Sequence, residues 1–168
     1  MSRALSCQSA NSIVTRMQLS VFSDYTLRVL IFLAVSPGKN ASAQLIAERY
    51  GISFHHVAKA GQWLAREGYV VSSRGRGGGM RLARPATEIV LGEIMRKLES
   101  GSELVECMRS TGHSCVIVGG CGLRNILLDA KEDFFRVLDR KTLADAAGVT
   151  KNMAWALRLT PHPASPRD

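Results

Sequence analysis

Residues 42–68 read SAQLIAERYGISFHHVAKAGQWLAREG, and this stretch decides the fold. Ser42 precedes a short run in which Ala43, Ile46, Ala47 and Tyr50 recur at helical spacing, and Gly51 follows as a stop signal. Ser53 precedes a second run, with Phe54, Val57, Ala58, Gly61, Leu64 and Ala65 as its inner face and Gly68 at its end. Two capped helices parted only by Gly51-Ile52 make a helix-turn-helix, whose second helix is the one that enters a major groove. Its outward residues are His55, His56, Lys59, Gln62, Trp63 and Arg66. Ser53, His55, His56 and Lys59, in its first turns, are the best placed to reach DNA. An ordinary helical hairpin with a solvated face would show the same pattern, so the flanking segments must decide.

The segment that follows favours DNA. Tyr69-Val70-Val71 is strand-like, SSRGRGGG occupies 72–79, and Met80-Arg81-Leu82 returns as a second strand before Pro85. The pattern predicts a β-hairpin with a glycine-rich tip, the wing of a winged helix. Arg74, Arg76 and Arg81 are its candidate DNA contacts, and Gly77 and Gly78 let the backbone lie close to a sugar-phosphate chain. A glycine-rich loop can also cradle a mononucleotide phosphate, but the Gly-Lys-Ser/Thr of such loops is missing and no helix follows directly. Charge agrees with a nucleic-acid partner. Of a net +8, residues 17–88 carry nine basic against four acidic side chains, whereas residues 89–168 carry eleven against ten.

Upstream, residues 1–16 are polar and read as a disordered extension, with Met17 as the natural beginning and Cys7 a bystander. Ser23 is expected to cap a helix in which Leu27, Leu30, Ile31 and Ala34 form a stripe widened by Val29, Phe32 and Leu33, ending before Pro37-Gly38. Asp24 would then hold the first helical position, where the helix dipole alone explains a carboxylate. No apolar run approaches the roughly 20 residues of a membrane span. The expected location is the cytoplasm. No Ser/His/Asp arrangement or paired-carboxylate motif points to an enzyme.

Residues 105–124 hold Cys107, Cys115 and Cys121 in one glycine-punctuated loop. Without a secretory signal, three gathered thiols point to metal before disulfides. Buried free thiols are the blandest reading, but a loop this rich in glycine buries side chains poorly. Zinc would take His113 as a fourth ligand, yet zinc sites usually pair cysteines two to four residues apart, and the intervals here are seven and five residues. An iron–sulfur cluster is larger than one ion and accepts cysteines from a longer loop, so spacing favours it slightly. Beyond the loop, Leu123, Ile126, Leu127, Ala130, Phe134, Val137 and Leu138 form a helical stripe longer than one small domain easily covers. Pairing with its copy in a homodimer is the simplest solution, and it suits a palindromic site in double-stranded DNA. The alternative is that the stripe packs on its own domain.

The order of helix, helix-turn-helix, wing, three-cysteine loop and long helix resembles the Rrf-two family of winged-helix transcription regulators. The resemblance covers residues 17–147 and rests on MQLSVFSDYTLRVL, RGRGGGMRLARP, the cysteine spacing and VLDRKTLAD. Within the family the chain looks closest to the NsrR group, repressors that sense nitric oxide. That resemblance implies a [4Fe–4S] cluster held by Cys107, Cys115 and Cys121, with Asp24 of the partner subunit completing the site. Asp24 thereby acquires a role that its helical position did not require. An aspartate oxygen is more exchangeable than thiolate, so nitric oxide would enter at that iron and nitrosylation would release DNA.

Departures keep alternatives open. IscR-like members, which hold [2Fe–2S], carry a histidine where this chain has Arg124. The iron-responsive RirA group shares the cysteine spacing, so a regulator of iron or cluster status is one alternative. A zinc-stabilised protein without gene control is another. Many NsrR proteins have Arg-Asn where this chain has Phe54-His55, so base preference is expected to differ. The expected architecture is mainly α with a small β-hairpin. Residues 17–99 form the winged helix-turn-helix domain, 100–122 the cluster loop, 123–147 the dimerisation helix with a short final helix, and 148–168 a disordered tail.

Overall fold

Ser20, rather than Ser23, caps the first helix. In the computed structural model, which describes residues 18–36, 38–73, 75, 77–109, 111, 114–148 and 157, α1 runs Val21–Ala34. The Ser20 hydroxyl accepts from the Ser23 amide at 3.0 Å, and Asp24 N–H donates to Ser20 O at 3.0 Å. Asp24 is therefore the fourth helical residue, not the first. Ser23 is spared for another purpose because it is buried, and a buried hydroxyl needs a partner. Val29, Leu30, Phe32 and Leu33 make α1 the central helix of the core.

The helix-turn-helix forms where the capping signals place it. Helix α2 spans Ala43–Tyr50, with the Ser42 hydroxyl accepting from Leu45 N–H. Gly51 ends it in the left-handed region at φ 64°, a conformation that costs glycine little. Helix α3 spans Phe54–Arg66 and buries Val57, Ala60, Gly61 and Leu64 against α1 and α2. Ser53 holds the cap position without a side-chain cap bond. Two assignments along α3 reverse. Phe54, expected inward, is exposed beside His55, because the buried stripe starts only at Val57. Trp63, expected outward, is half-buried, meeting the Phe22 ring edge-on at 6.1 Å and stacking on Tyr69 at 6.2 Å.

The hairpin pairs β1 (Val70–Ser73) with β2 (Gly79–Leu82) antiparallel, Val70 opposite Leu82 and Ser73 opposite Gly79. Ala41 adds a third piece, exchanging two 2.9 Å backbone hydrogen bonds with Met80. Gly79 allows this approach, since a Cβ there would lie 2.7 Å from the Ala41 carbonyl. The wing is thus fastened to the segment that starts the helix-turn-helix.

Helix α4 (Leu91–Leu98) buries Ile94 and Met95, and α5 (Gly122–Asp139) lies along it. Arg96 bridges them, its guanidinium 2.6 Å from both Glu132 and Asp139 carboxylates. Gly92 sets their closeness: a Cβ would stand 2.7 Å from the Asp139 backbone nitrogen. Gly92→Ala should therefore force the helices apart and lower stability by about 1–3 kcal/mol, the usual cost of overpacking. Gly101→Ala, with open space around it, should leave the melting temperature unchanged. Thermal unfolding of the two variants checks this. Helix α6 (Leu143–Ala147) closes the fold through a capping box between Thr142 and Asp145, and Leu143 enters the core.

The stripe on α5 divides. Phe135, which the sequence reading passed over, is the one buried residue of the helix, while Phe134, expected inward, is exposed. Leu123, Ile126 and Val137 are also exposed, Ile126 to 65 %. Together with Ala130 they recur at 123, 126, 130, 134 and 137, a seam with steps of three, four, four and three residues along one helix face. The chain covers one side of α5 and leaves this seam to solvent.

Candidate functional site

Two groups of residues matter here: the outer face of α3 with the wing, and the cysteine loop. On α3, Ser53, His55, His56 and Lys59 are all exposed at the N-terminal end. On the wing, Arg81 and Gly77 are exposed and Gly78 is half-buried. Gly78 N–H closes the tip by donating to Gly75 O at 2.9 Å, and Asn40 Nδ2 donates to Gly77 O at 3.4 Å. Arg74 and Arg76 lie outside the described residues. Apart from half-buried Gly78, the described candidates thus stand in water, as contacts to DNA must.

Helix α1 reaches this face directly, through residues the sequence reading did not single out. The Tyr25 ring lies 5.2 Å from the His56 ring, and Lys59 Nζ stands 5.6 Å over the Phe22 ring. Asp24 lies between Phe22 and Tyr25 in sequence and forms a two-pronged pair with Arg28, at 2.8 and 3.0 Å. The Arg28 guanidinium also lies 5.9 Å from the centres of Tyr25 and Tyr50. Burial pushes the Tyr50 phenol up to about 12, with Arg28 pulling the other way, so Tyr50 stays protonated at physiological pH. Only the fold could reveal these contacts, because Phe22 and Tyr25 are some thirty residues from their partners.

The cysteine loop hangs between α4 and α5. Cys107, Cys115 and Cys121 are free thiols, each half-buried. Cys107 sits in a 3-10 turn, Glu106–Met108, and its carbonyl accepts from Arg124 Nε at 3.1 Å. Arg124, three residues after Cys121, is thereby a support for Cys107. Glu106 accepts from the Ser114 amide at 3.0 Å, tying together the residues that precede Cys107 and Cys115. A second 3-10 turn, Val118–Gly120, delivers Cys121 to the N-cap of α5, where the helix dipole favours an anionic ligand. Between them Val116 stands 97 % exposed.

Among the described residues, no three His, Cys, Asp or Glu side chains come together as a single-ion metal site. Asp24 is held by Arg28 and not by the loop. His113 and Cys7 lie outside the described residues. The donor set, three free soft ligands spread along a pinned loop, fits a cluster that spans several ångströms better than one small ion.

One buried carboxylate belongs to neither group. Glu99, directly after α4, is 7 % exposed and accepts from Ser20 N–H at 3.0 Å and from the Ser23 hydroxyl. Burial pushes its carboxyl up, but hydrogen bonds from Ser102, Ser23 and Ser20 outweigh burial and hold it below the ordinary glutamate value. No sequence signal marked it, since a glutamate at a helix end is ordinarily a solvated one. Elsewhere, no helix among the described residues is long and apolar enough to cross a membrane.

Residues 19–148 match the Rrf2 family, described as an iron-dependent transcriptional regulator. The chain is 44 % identical over 144 residues to the HTH-type transcriptional regulator NsrR of Bacillus subtilis, covering 85 % of this chain and 97 % of that protein. It is likewise 44 % identical over 130 residues to the NsrR of Geobacillus kaustophilus, covering 77 % and 88 %. Among solved structures, the cysteine regulator CymR of B. subtilis superposes with a TM-score of 0.63 at 26 % identity, over 81 % of this chain and all of that one. IscR of T. potens gives 0.63 at 28 % identity, over 82 % and 90 %.

Proposed function

The chain belongs to the Rrf2 family of transcriptional regulators, not of enzymes, and from that premise we propose that it is a homodimeric repressor that reads a palindromic operator and senses nitric oxide through a [4Fe–4S] cluster. The observation that carries this reading is the contact of α1 with α3. One turn of α1 holds Asp24 and, on either side of it, the two rings that touch His56 and Lys59.

Cys107, Cys115 and Cys121 would hold the cluster, with Asp24 of the partner subunit as its last ligand. When bound, the cluster supplies an iron at which nitric oxide reacts. Asp24 engaged across the dimer would draw the first turns of α1 toward the partner's loop, and Tyr25 and Phe22 would carry His56 and Lys59 with them into register with the groove. Asp24 released pairs with Arg28, the arrangement in which Tyr25 lies 5.2 Å from His56 and Lys59 stands 5.6 Å over Phe22. Arg124 keeps Cys107 in place by its carbonyl. The seam on α5 pairs the two chains, setting the distance between the two α3 helices to match two half-sites. The protein works in the cytoplasm, where its DNA is.

On the wing, Arg74, Arg76 and Arg81 contact the backbone and minor groove, with Gly77 and Gly78 allowing close approach. Arg81→Ala or Arg76→Ala should weaken binding to all sequences alike and reduce the salt dependence by about one counterion. Titrations at several salt concentrations check this; an unchanged slope would exclude a phosphate contact.

Anaerobic purification tests the cofactor. A brown protein with about four irons and about four sulfides per chain is expected; a colourless zinc protein would overturn the proposal. The family's description as iron-dependent favours one second reading, a regulator of iron or cluster supply. That reading wins if iron starvation abolishes DNA binding while nitric oxide leaves it intact.

A further inference from the structure

Glu99 joins two regions that the mechanism uses separately. It follows α4 directly and opens the segment that leads to Cys107. Its buried carboxylate takes hydrogen bonds from Ser20 and Ser23, the cap and third residue of α1, and Ser20 O in turn accepts from Asp24 N–H. On the loop side, Ser102 N–H donates to Glu99 O at 2.9 Å. Lys131 of α5 then holds both Ser102 O, at 2.8 Å, and the Glu103 carboxylate, at 2.9 Å. The segment from Glu99 to Cys107 is thus fastened to α1 at one end and, through Lys131 and Arg124, to α5 along the rest. A serine pair alone would cap α1 without a carboxylate. Ser23 is fully buried, so without Glu99 its hydroxyl is left with the Ser20 hydroxyl, 2.8 Å away, as its remaining partner, and the pair must also satisfy the Ser23 amide.

We infer that Glu99 is a positioning residue that makes the two shared sites of the dimer respond together. This rests on the reading that Asp24 completes the partner's site. Each chain's loop holds its own cluster, while its α1 reaches the cluster of its partner. Glu99 links that loop to that α1 within one chain. Gain or loss of one cluster therefore moves the Asp24 that serves the other. Without the link, each site would fill and empty independently.

Two measurements on the full-length protein test this. In the cluster-free wild type, amide hydrogen exchange over Ser23–Tyr25 should be slow. In Glu99→Ala it should accelerate roughly tenfold, the loss of about one buried hydrogen bond, with α5 unaffected. Glu99→Gln, which keeps an acceptor oxygen, should restore most of the protection and guards against a misfolded alanine variant. Native mass spectrometry during reconstitution with ferrous iron and sulfide gives the second readout. Wild-type dimers should pass from empty to doubly loaded with few singly loaded species, whereas Glu99→Ala should give the binomial distribution of independent sites. Accelerated exchange with an unchanged distribution would overturn the coupling and leave Glu99 a structural clasp. A wild type that loads no cluster would overturn the function proposed above along with it, while unaltered exchange would refute the clasp by itself.

Discussion

Cys107→Ser is expected to purify without its cluster and to bind operator DNA about 10²- to 10⁴-fold more weakly than the anaerobic wild type. The upper figure is what carries a two-state regulator from almost wholly bound to almost wholly released. The substitution changes one atom of a half-buried side chain, and it leaves intact the hydrogen bond from Arg124, which is made to the backbone. Stability should therefore change little, and a lost affinity cannot be blamed on unfolding. Two thiols and one aspartate oxygen hold a cluster poorly, and without it Asp24 has no reason to leave Arg28. Iron analysis beside a binding titration on one preparation checks the result. Full iron content in the variant would remove Cys107 from the ligand set.

Ile126→Glu combined with Val137→Glu is expected to give a monomer that folds but binds the operator at least about 10³-fold more weakly. Specific sites exceed nonspecific ones by about 10³–10⁷, and a monomer keeps only one half-site's share of that advantage. The reasoning starts from the exposed seam at 123, 126, 130, 134 and 137. Both substituted residues face solvent in the single chain, so charge there costs the monomer little. In a dimer the two copies would bury like charges against each other. Sedimentation and operator titration check the prediction. A variant that stays dimeric at micromolar concentration would place the interface elsewhere.

The helices and hairpin were legible because their signals are local. Ser42 and Gly51 each act within one turn, and the alternation around RGRGGG is enough to fold a hairpin back. Errors came where tertiary contacts chose between neighbours. Ser20 and Ser23 are equal as caps by sequence, and only buried Glu99, some eighty residues away, takes Ser23 for itself. Phe134 and Phe135 differ by 100° around the helix, and Arg96, lying 4.9 Å from the ring centre of Phe135, shows which one faces α4. Trp63 looked like a surface aromatic until α1 brought Phe22 against it. Of the candidate site, the three thiols and the basic wing could be read from spacing and charge. Nothing local marked Asp24, since a carboxylate near a helix start needs no ligand role, and the contacts of Phe22 and Tyr25 with α3 exist only once α1 crosses it.

The central claim is that one shared cluster governs the reading face through α1. A single titration tests it most directly: nitric oxide added stepwise to anaerobic protein bound to operator DNA, with cluster absorbance and DNA release followed together, for wild type and for Asp24→Ala. In the wild type the two signals should change in step and finish at the same number of equivalents. In Asp24→Ala they should part, DNA binding being weak before any nitric oxide is added. An Asp24→Ala protein with cluster content, DNA affinity and nitric oxide response equal to wild type would contradict the account.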